Sequence, residues 1–315
     1  MSKLGLVFAG GGGRGAYQIG VWRALREYGL DRRVCTVSGT SVGALNAALF
    51  AQGDLSIAES VWEHISPAQI LLPPVENRGW KEGGESLSFG QENGCACLLR
   101  GMCPTSAADP APSTPQALAV SASLLPLTLR IGRSTLAQYA ATCLAEGMIS
   151  NEGLGEMIDQ ALDLTRLSAS PVRCYATCYR ICPGFGIDRY LLGRRDGAFD
   201  RAVLLASAAI PILFPVVQVD HRFYWDGGIP KLGDNVPVAP AYQDGCCDSI
   251  LVVHLSEGAP APRGQFPKSK LIDLFPSKPL GGPASTLDFT GRGARFRLDL
   301  GYRDGLALLG QQFPL

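Results

Sequence analysis

Three short stretches hold the residue types that acyl-transfer chemistry needs. Gly10-Gly-Gly-Gly-Arg14-Gly15 presents a row of backbone N–H groups unobstructed by side chains, at the point where an apolar run gives way to a helical pattern. Such N–H groups at a helix N-terminus hold an anion, and the anion can be a transient oxyanion. Gly39-Thr40-Ser41-Val42-Gly43 is a GxSxG pattern. Where a strand hands over to a helix, that pattern forms a nucleophile elbow with the serine Oγ exposed at the turn. Phe223-Tyr-Trp-Asp226-Gly227-Gly228 ends an aromatic run in a carboxylate followed by two glycines.

Each stretch also has a plainer reading. The glycine row can be a tight turn, although four consecutive glycines exceed what a turn needs. Ser41 can be an N-cap in a glycine-rich turn, and Asp226-Gly227 a hairpin turn. The row formally matches GxGxxG as Gly10, Gly12 and Gly15, which keeps a nucleotide-binding module open. That reading needs an acidic residue at the end of the next strand, where Ser38-Gly39-Thr40-Ser41 stands. A phosphate-binding P-loop fails because Ala16-Tyr17 follows Gly15 in place of Lys-Ser/Thr.

A serine nucleophile needs a base, and the chain has only His64, His221 and His254. The hydrolase order of serine, acid and histidine leaves Ser41, Asp226 and His254 as the one sensible triad. His254 lies within the apolar Leu251-Val-Val-His-Leu, which reads as a core histidine on a buried strand. Asp226 is the better partner for Ser41.

The elements that must position these residues are readable from periodicity. Leu4–Phe8 is a short buried strand, Ala16–Tyr28 a helix with Gly29 as its stop, Val34–Ser38 a second strand, and Gly39–Phe50 a second, apolar helix. This β-α-β-α opening implies a parallel sheet with a right-handed crossover. From about 78 to 134 glycine, serine, proline and cysteine dominate, as in a long insertion. Helical spacing returns over 137–167 with a break near Gly147. Strands are expected at Val172–Ile181, Asp188–Leu192, Phe223–Trp225 and Ile250–Leu255, with a helix over Ala198–Ala209.

Composition excludes several classes. With 28 basic and 28 acidic residues and 46% hydrophobic residues among 315, the chain is neither disordered nor drawn as a whole to nucleic acid or anionic lipid. No run reaches the ~18–20 apolar residues that span a bilayer. Gly10–Gly13 interrupt the first apolar run before a secretory segment forms, so a cytoplasmic location is expected. The ten cysteines then read as reduced thiols. Cys174, Cys178 and Cys182 share one face of an expected strand, and Cys95, Cys97 and Cys103 cluster, but neither group has zinc or iron–sulfur spacing. No metal and no cofactor is expected. Glycine is in surplus, 38 of 315 residues against a usual ~7%, and nine of the 38 fall in the three motifs.

Taken in order, the glycine-rich loop at 10–15, GxSxG at 39–43 and Asp-Gly-Gly at 226–228 resemble the patatin-like phospholipases. Ala206-Ser-Ala-Ala-Ile-Pro, Asn235-Val-Pro, Leu287-Asp-Phe and Leu300-Gly-Tyr-Arg-Asp are similar to that family's usual wording. The resemblance implies an α/β fold, a three-layer α/β/α sandwich with a mainly parallel central sheet. It implies a single domain over 1–315, with a variable insertion at about 78–134 and a C-terminal extension at about 259–315. Ser41 would be the nucleophile and Asp226 its only side-chain partner, with the N–H groups of Gly11, Gly12 and Gly13 as the oxyanion hole. Gly10, Arg14, Gly15, Gly39, Gly43, Gly227 and Gly228 would support the motifs, and Arg14 would anchor the loop, meet substrate phosphate or make an ordinary salt bridge. The implied partner is a lipid or acyl-ester substrate, with transient peripheral membrane contact and no nucleic acid. Leu118–Leu129 would serve as an interfacial lid or a core helix.

Overall fold

The computed structural model describes residues 3–73, 147–243 and 247–313. The expected insertion at 78–134, the Leu118–Leu129 segment, the first part of the 137–167 helical stretch and the Cys95, Cys97 and Cys103 cluster lie outside the described residues.

The opening unit follows the periodicity. Strand β1 (Leu4–Phe8) leads through a 3-10 turn (Gly12–Gly15) into α1 (Ala16–Glu27), and β2 (Val34–Thr40) leads into α2 (Val42–Gln52). Gly29 ends α1 at φ 65°, the left-handed geometry of a helix stop. Helix α2 is apolar all round and buried along almost its whole length, which makes it a core element rather than a surface helix. The chain continues through α3 (Leu55–His64), α4 (Pro67–Ile70), α5 (Glu152–Ala161) and α6 (Leu164–Ala169). Then come β3 (Arg173–Cys182), β4 (Gly186–Leu191), α7 (Gly197–Ser207), β5 (Val217–Val219), β6 (Arg222–Asp226) and α8 (Val238–Gln243). Strands β7 (Ser249–Val253) and β8 (Lys270–Leu274) precede the long α9 (Gly291–Gln312).

The sheet runs β5-β6-β3-β2-β1-β7-β8, with β4 paired to β3. The β3-β2-β1-β7-β8 stretch is parallel, and β4, β5 and β6 join it antiparallel. On β3, Thr177 pairs with Thr40 of β2 and Arg189 of β4, while the next residue, Cys178, pairs with Asp226 of β6 and Asp188 of β4. Since β4 occupies one edge of β3, β2 and β6 share the other and run head-on toward each other. Their C-terminal ends meet at Thr177 and Cys178.

Both sheet faces are buried, as expected of parallel strands. Leu4, Leu6 and Phe8 of β1 and Leu251 and Val253 of β7 face a core with α1, α2, α7 and α9, whereas Val7, Ile250 and Val252 face a smaller core with α8. This period-two division produces the three layers expected from the sequence. Cys174 and Cys178 lie in the larger core, so their spacing reflects packing. Helix α9 lies along α1 so closely that a Cβ on Gly20 or Gly301 would strike the facing backbone of Leu298 or Tyr17. Asp304 accepts from the Tyr17 hydroxyl at 2.9 Å, which accounts for the Gly and Asp of Leu300-Gly-Tyr-Arg-Asp.

Candidate active site

Ser41 is the single residue between β2 and α2, at φ 57° and ψ −129°. A non-glycine residue there is strained, and the neighbours hold it in place. Its N–H donates to Ser207 Oγ at 3.0 Å, and Ser207 Oγ in turn donates to the Thr177 carbonyl at 2.7 Å. Its carbonyl accepts from the N–H groups of Ala44 and Leu45 in the first turn of α2. The flanking glycines are required by space. A Cβ on Gly39 would overlap the Gly43 carbonyl, and a Cβ on Gly43 would overlap the carbonyl of Phe8. The elbow therefore crosses close over both β1 and its own helix, leaving Ser41 at the N-terminus of α2.

Asp226 ends β6 and is buried. Its backbone N–H donates to Ala209 O, and Oδ1 accepts from the Gly228 N–H at 2.6 Å. The Ser41 hydroxyl lies close enough to the carboxylate to favour its ionised form. Burial pushes the Asp226 carboxyl up to about 6, against the Ser41 hydroxyl and the Gly228 N–H, which favour the ionised form. The Asp-Gly-Gly segment is thus not a hairpin turn. Gly227 packs against the Thr177 carbonyl and Gly228 against Asn235, while Thr40 Oγ1 donates to Asp234 O at 2.7 Å and ties this loop to the end of β2.

The glycine row forms the third side. The Gly10 N–H donates to Asn235 O, and the Arg14 N–H closes the first 3-10 turn on Gly11 O. Ahead of that closure, the N–H groups of Gly11, Gly12 and Gly13 have no acceptor within the turn. Gly12 stands at φ 56°. Arg14 does not reach out for substrate: Nε donates to Gly11 O, Nη1 to Leu255 O and Nη2 to Thr286 Oγ1 at 2.7 Å. Of its three sequence readings, loop anchor, phosphate contact and ordinary salt bridge, the first is the one these bonds describe. Gly15 packs on Val42 and Trp62, which brings the start of α1 against α2.

A narrow cavity of about 50 Å³ opens beside Ser41 and Gly12. Its walls are apolar, among them Val42, Leu45, Trp62, Ile65, Met157 and Phe214. Trp62 is fixed by donating Nε1–H to Asn46 Oδ1, and Asn46 Nδ2 donates to Gly15 O and Gln18 Oε1. A cavity with this lining takes hydrocarbon.

None of the three histidines joins Ser41. His254 follows β7, so β1, β2 and β3 stand between its strand and Asp226 on β6. It is buried, pairs Nε2 with Asp273 Oδ1 at 2.8 Å and stacks on Phe275. His64 is exposed and bonded to Ser60 O, and His221 lies in the exposed turn between β5 and β6. Among the described residues no group of three His, Cys, Asp or Glu side chains converges as a metal site, and no helix is long and apolar enough to cross a membrane.

Motif reading did not single out Ser207, Asn46 or Trp62 as parts of the site. Ser207 lies in Ala206-Ser-Ala-Ala-Ile-Pro, yet nothing in spacing alone says that a serine at the end of α7 supports an elbow 166 residues away. Trp62 carried only an apolar helical period.

The chain resembles known proteins in both sequence and shape. Over 51 residues it is 53% identical to a Caenorhabditis elegans protein named patatin-like phospholipase domain-containing protein ZK370.4, a match covering 16% of this chain and 4% of that one. Over 50 residues it is 49% identical to lysophospholipase nte1 of Aspergillus terreus, covering 16% of this chain and 3% of that one. These matched segments are a small fraction of much longer relatives. In shape, VipD from Legionella pneumophila aligns with a TM-score of 0.51 at 14% identity, covering 98% of this chain and 67% of that chain, a likeness of fold. The family model described as patatin-like phospholipase matches residues 6–242 of the 315, so this glycine loop, serine elbow and carboxylate-ended strand are those of a member of the patatin-like phospholipase family.

Proposed function

We propose that the protein is a serine acyl hydrolase that cleaves acyl esters of phospholipids, lysophospholipids or related lipids with Ser41 as nucleophile and Asp226 as its general base. One observation carries the reading: the Ser41 hydroxyl lies beside a buried carboxylate whose pKa is raised to about 6, at the mouth of an apolar cavity. An ordinary aspartate near 3.9 is a poor base for a serine hydroxyl, and a base closer to the working pH is a better one. The same carboxylate remains mostly ionised at neutral pH.

In this scheme Ser41 Oγ attacks the acyl carbonyl while its proton passes to Asp226. The negative charge moves to the former carbonyl oxygen, where N–H groups of Gly11, Gly12 and Gly13 receive it. Each such donor contributes roughly 2.7–4 kcal/mol in comparable sites, and the N-terminus of α2 adds favourable field at Ser41. Asp226 then returns its proton to the leaving alkoxide, releasing alcohol or lysolipid. Water, deprotonated by Asp226, attacks the acyl-serine, and Ser41 is regenerated with release of the fatty acid. No histidine takes part.

The narrow cavity favours a second reading, a carboxylesterase acting on soluble esters with the same residues. A panel of phospholipids, lysophospholipids and nitrophenyl esters of graded chain length, with products identified by mass spectrometry and Ser41→Ala as control, separates the two. Absence of hydrolysis of any ester together with no fluorophosphonate labelling of Ser41 would remove both, and a stable dinucleotide complex would then favour the nucleotide-binding alternative. Contact with lipid would be transient and peripheral, and a cytoplasmic location fits that proposal.

A further inference from the structure

The glycine loop has no side chains with which to fix its own peptide planes. Rotation about glycine φ and ψ is cheap, so a run of glycines must be held from outside if its N–H groups are to converge on one point. The holding comes from the C-terminal part of the chain, beyond the residues matched by the family model. A 3-10 turn at Pro283–Leu287 and the residues up to α9 lie directly on the loop. A Cβ on Gly12 would overlap the Thr286 carbonyl, and a Cβ on Gly13 would overlap that of Asp288.

Arg297, in α9, makes the grip directional. The residue is 2% exposed. Nη1 donates to Gly13 O at 3.0 Å and to Asp288 O at 2.9 Å, Nη2 donates to Asp288 Oδ2 at 2.6 Å, and Nε donates to Leu280 O at 2.9 Å. Burying a guanidinium is costly, and a well-packed apolar side chain would fill the same volume without that cost. With four of its five donors engaged and no exposure, Arg297 is not placed to bind a substrate phosphate. Its bond to Gly13 O, by contrast, fixes the peptide plane that follows the three candidate donors.

We infer that Arg297 is a positioning residue for the oxyanion hole: acting through the Gly13 carbonyl, it holds the Gly11, Gly12 and Gly13 N–H groups in register with Ser41. The inference rests on the hydrolase reading above. It predicts a defect specific to the tetrahedral state, because substrate binding in the apolar cavity does not involve the loop carbonyls.

The test is steady-state kinetics on a soluble nitrophenyl ester, paired with inhibition by a trifluoromethyl ketone that forms a tetrahedral adduct with serine. Wild type, Arg297→Ala and Arg297→Lys are compared, with Gly301→Ala as a variant that disturbs the packing of α9 on α1 without touching the loop. Arg297→Ala is expected to lose about 10²-fold in kcat, the loss typical of one oxyanion donor, with KM changed little. The ketone Ki should rise by the factor by which kcat/KM falls, and millimolar guanidinium should restore part of the rate. Arg297→Lys should fall between the two. A folded Arg297→Ala with wild-type kcat, or a ketone Ki that does not follow kcat/KM, would overturn the inference. If Arg297→Ala does not fold, the same proportionality is required of Arg297→Lys, and unchanged kcat there overturns it. A wild-type protein with neither ester turnover nor serine labelling would instead sink the hydrolase reading, and this inference with it.

Discussion

The imidazole of His254 is bonded to Asp273 across the β7–β8 edge, 2.8 Å from Nε2 to Oδ1, and both side chains are buried. The histidine that chain order offers to a triad is therefore committed to a carboxylate of its own. His254→Ala should keep ester turnover within about threefold of wild type, a barrier change below about 1 kcal/mol. It should lower stability by about 1–3 kcal/mol by removing the imidazole from Asp273, which keeps only the Ala261 N–H and the more distant Arg263. Urea denaturation and the ester assay on one preparation check both. A folded variant that has lost turnover would put a histidine back into the mechanism.

Strain at Ser41 makes a separate prediction. Its φ of 57° and ψ of −129° are unfavourable for any residue with a Cβ, at a cost of about 1–3 kcal/mol. Ser41→Gly should abolish hydrolysis while raising the unfolding free energy by an amount in that range. Ser41→Ala should abolish hydrolysis and keep most of the strain. The comparison needs only melting curves of the two inactive proteins, and a Ser41→Gly protein no more stable than Ser41→Ala would show that the elbow is relaxed.

The raised carboxyl of Asp226 sets the pH dependence. As a base it must be ionised, so kcat/KM should rise with pH through a midpoint near 6 and then level off. For stability the sign is opposite. The folded pKa lies above the unfolded value, so the folded state binds the proton more tightly, and this stabilisation is complete below the unfolded pKa and lost as pH rises through about 6. Asp226→Asn should accordingly be inactive at neutral pH yet melt at or above the wild-type temperature. A variant that melts well below wild type would show that the carboxylate's hydrogen bonds outweigh its burial.

Ser207 links the elbow to β3 by two hydrogen bonds, one from the Ser41 N–H and one to the Thr177 carbonyl. Ser207→Ala strands both groups in the interior, which costs about 1–3 kcal/mol. Turnover should fall about tenfold through loosening of the elbow, equivalent to about 1.4 kcal/mol in the barrier. Fluorophosphonate labelling should slow in parallel. Unchanged labelling with reduced stability would confine Ser207 to a folding role.

Periodicity and glycine placement made the opening β-α-β-α unit readable almost to the residue, because β1 and α2 are apolar throughout and the glycines between them have steric causes. Asp226 was readable as the end of an aromatic strand. The strand carrying His254 was placed two residues too far: β7 ends at Val253, and His254 turns to Asp273 on a strand that the sequence reading did not include. Strand β8 and helix α9 escaped for a shared reason. Their stability comes from tertiary packing, as with Gly301 on Tyr17 and Arg297 under the glycine loop, and such contacts leave no local period. The guanidinium bonds of Arg14 were likewise undecidable from spacing, since their acceptors lie at residues 11, 255 and 286.

The head-on meeting of β2 and β6 along one edge of β3 has a consequence for how this chain tolerates change. Ser41 and Asp226 are 185 positions apart in sequence, yet their separation in space is set by two adjoining residues, Thr177 and Cys178. The two partners of the proposed dyad are indexed on the same ruler. Extra chain can therefore enter between α4 and α5 without altering the register of the pair. By contrast, one residue added inside β3 between its pairings with β2 and β6 would turn the carboxylate to the opposite face of the sheet. For the register of this pair, length is free to vary between α4 and α5 and fixed at the Thr177–Cys178 peptide bond.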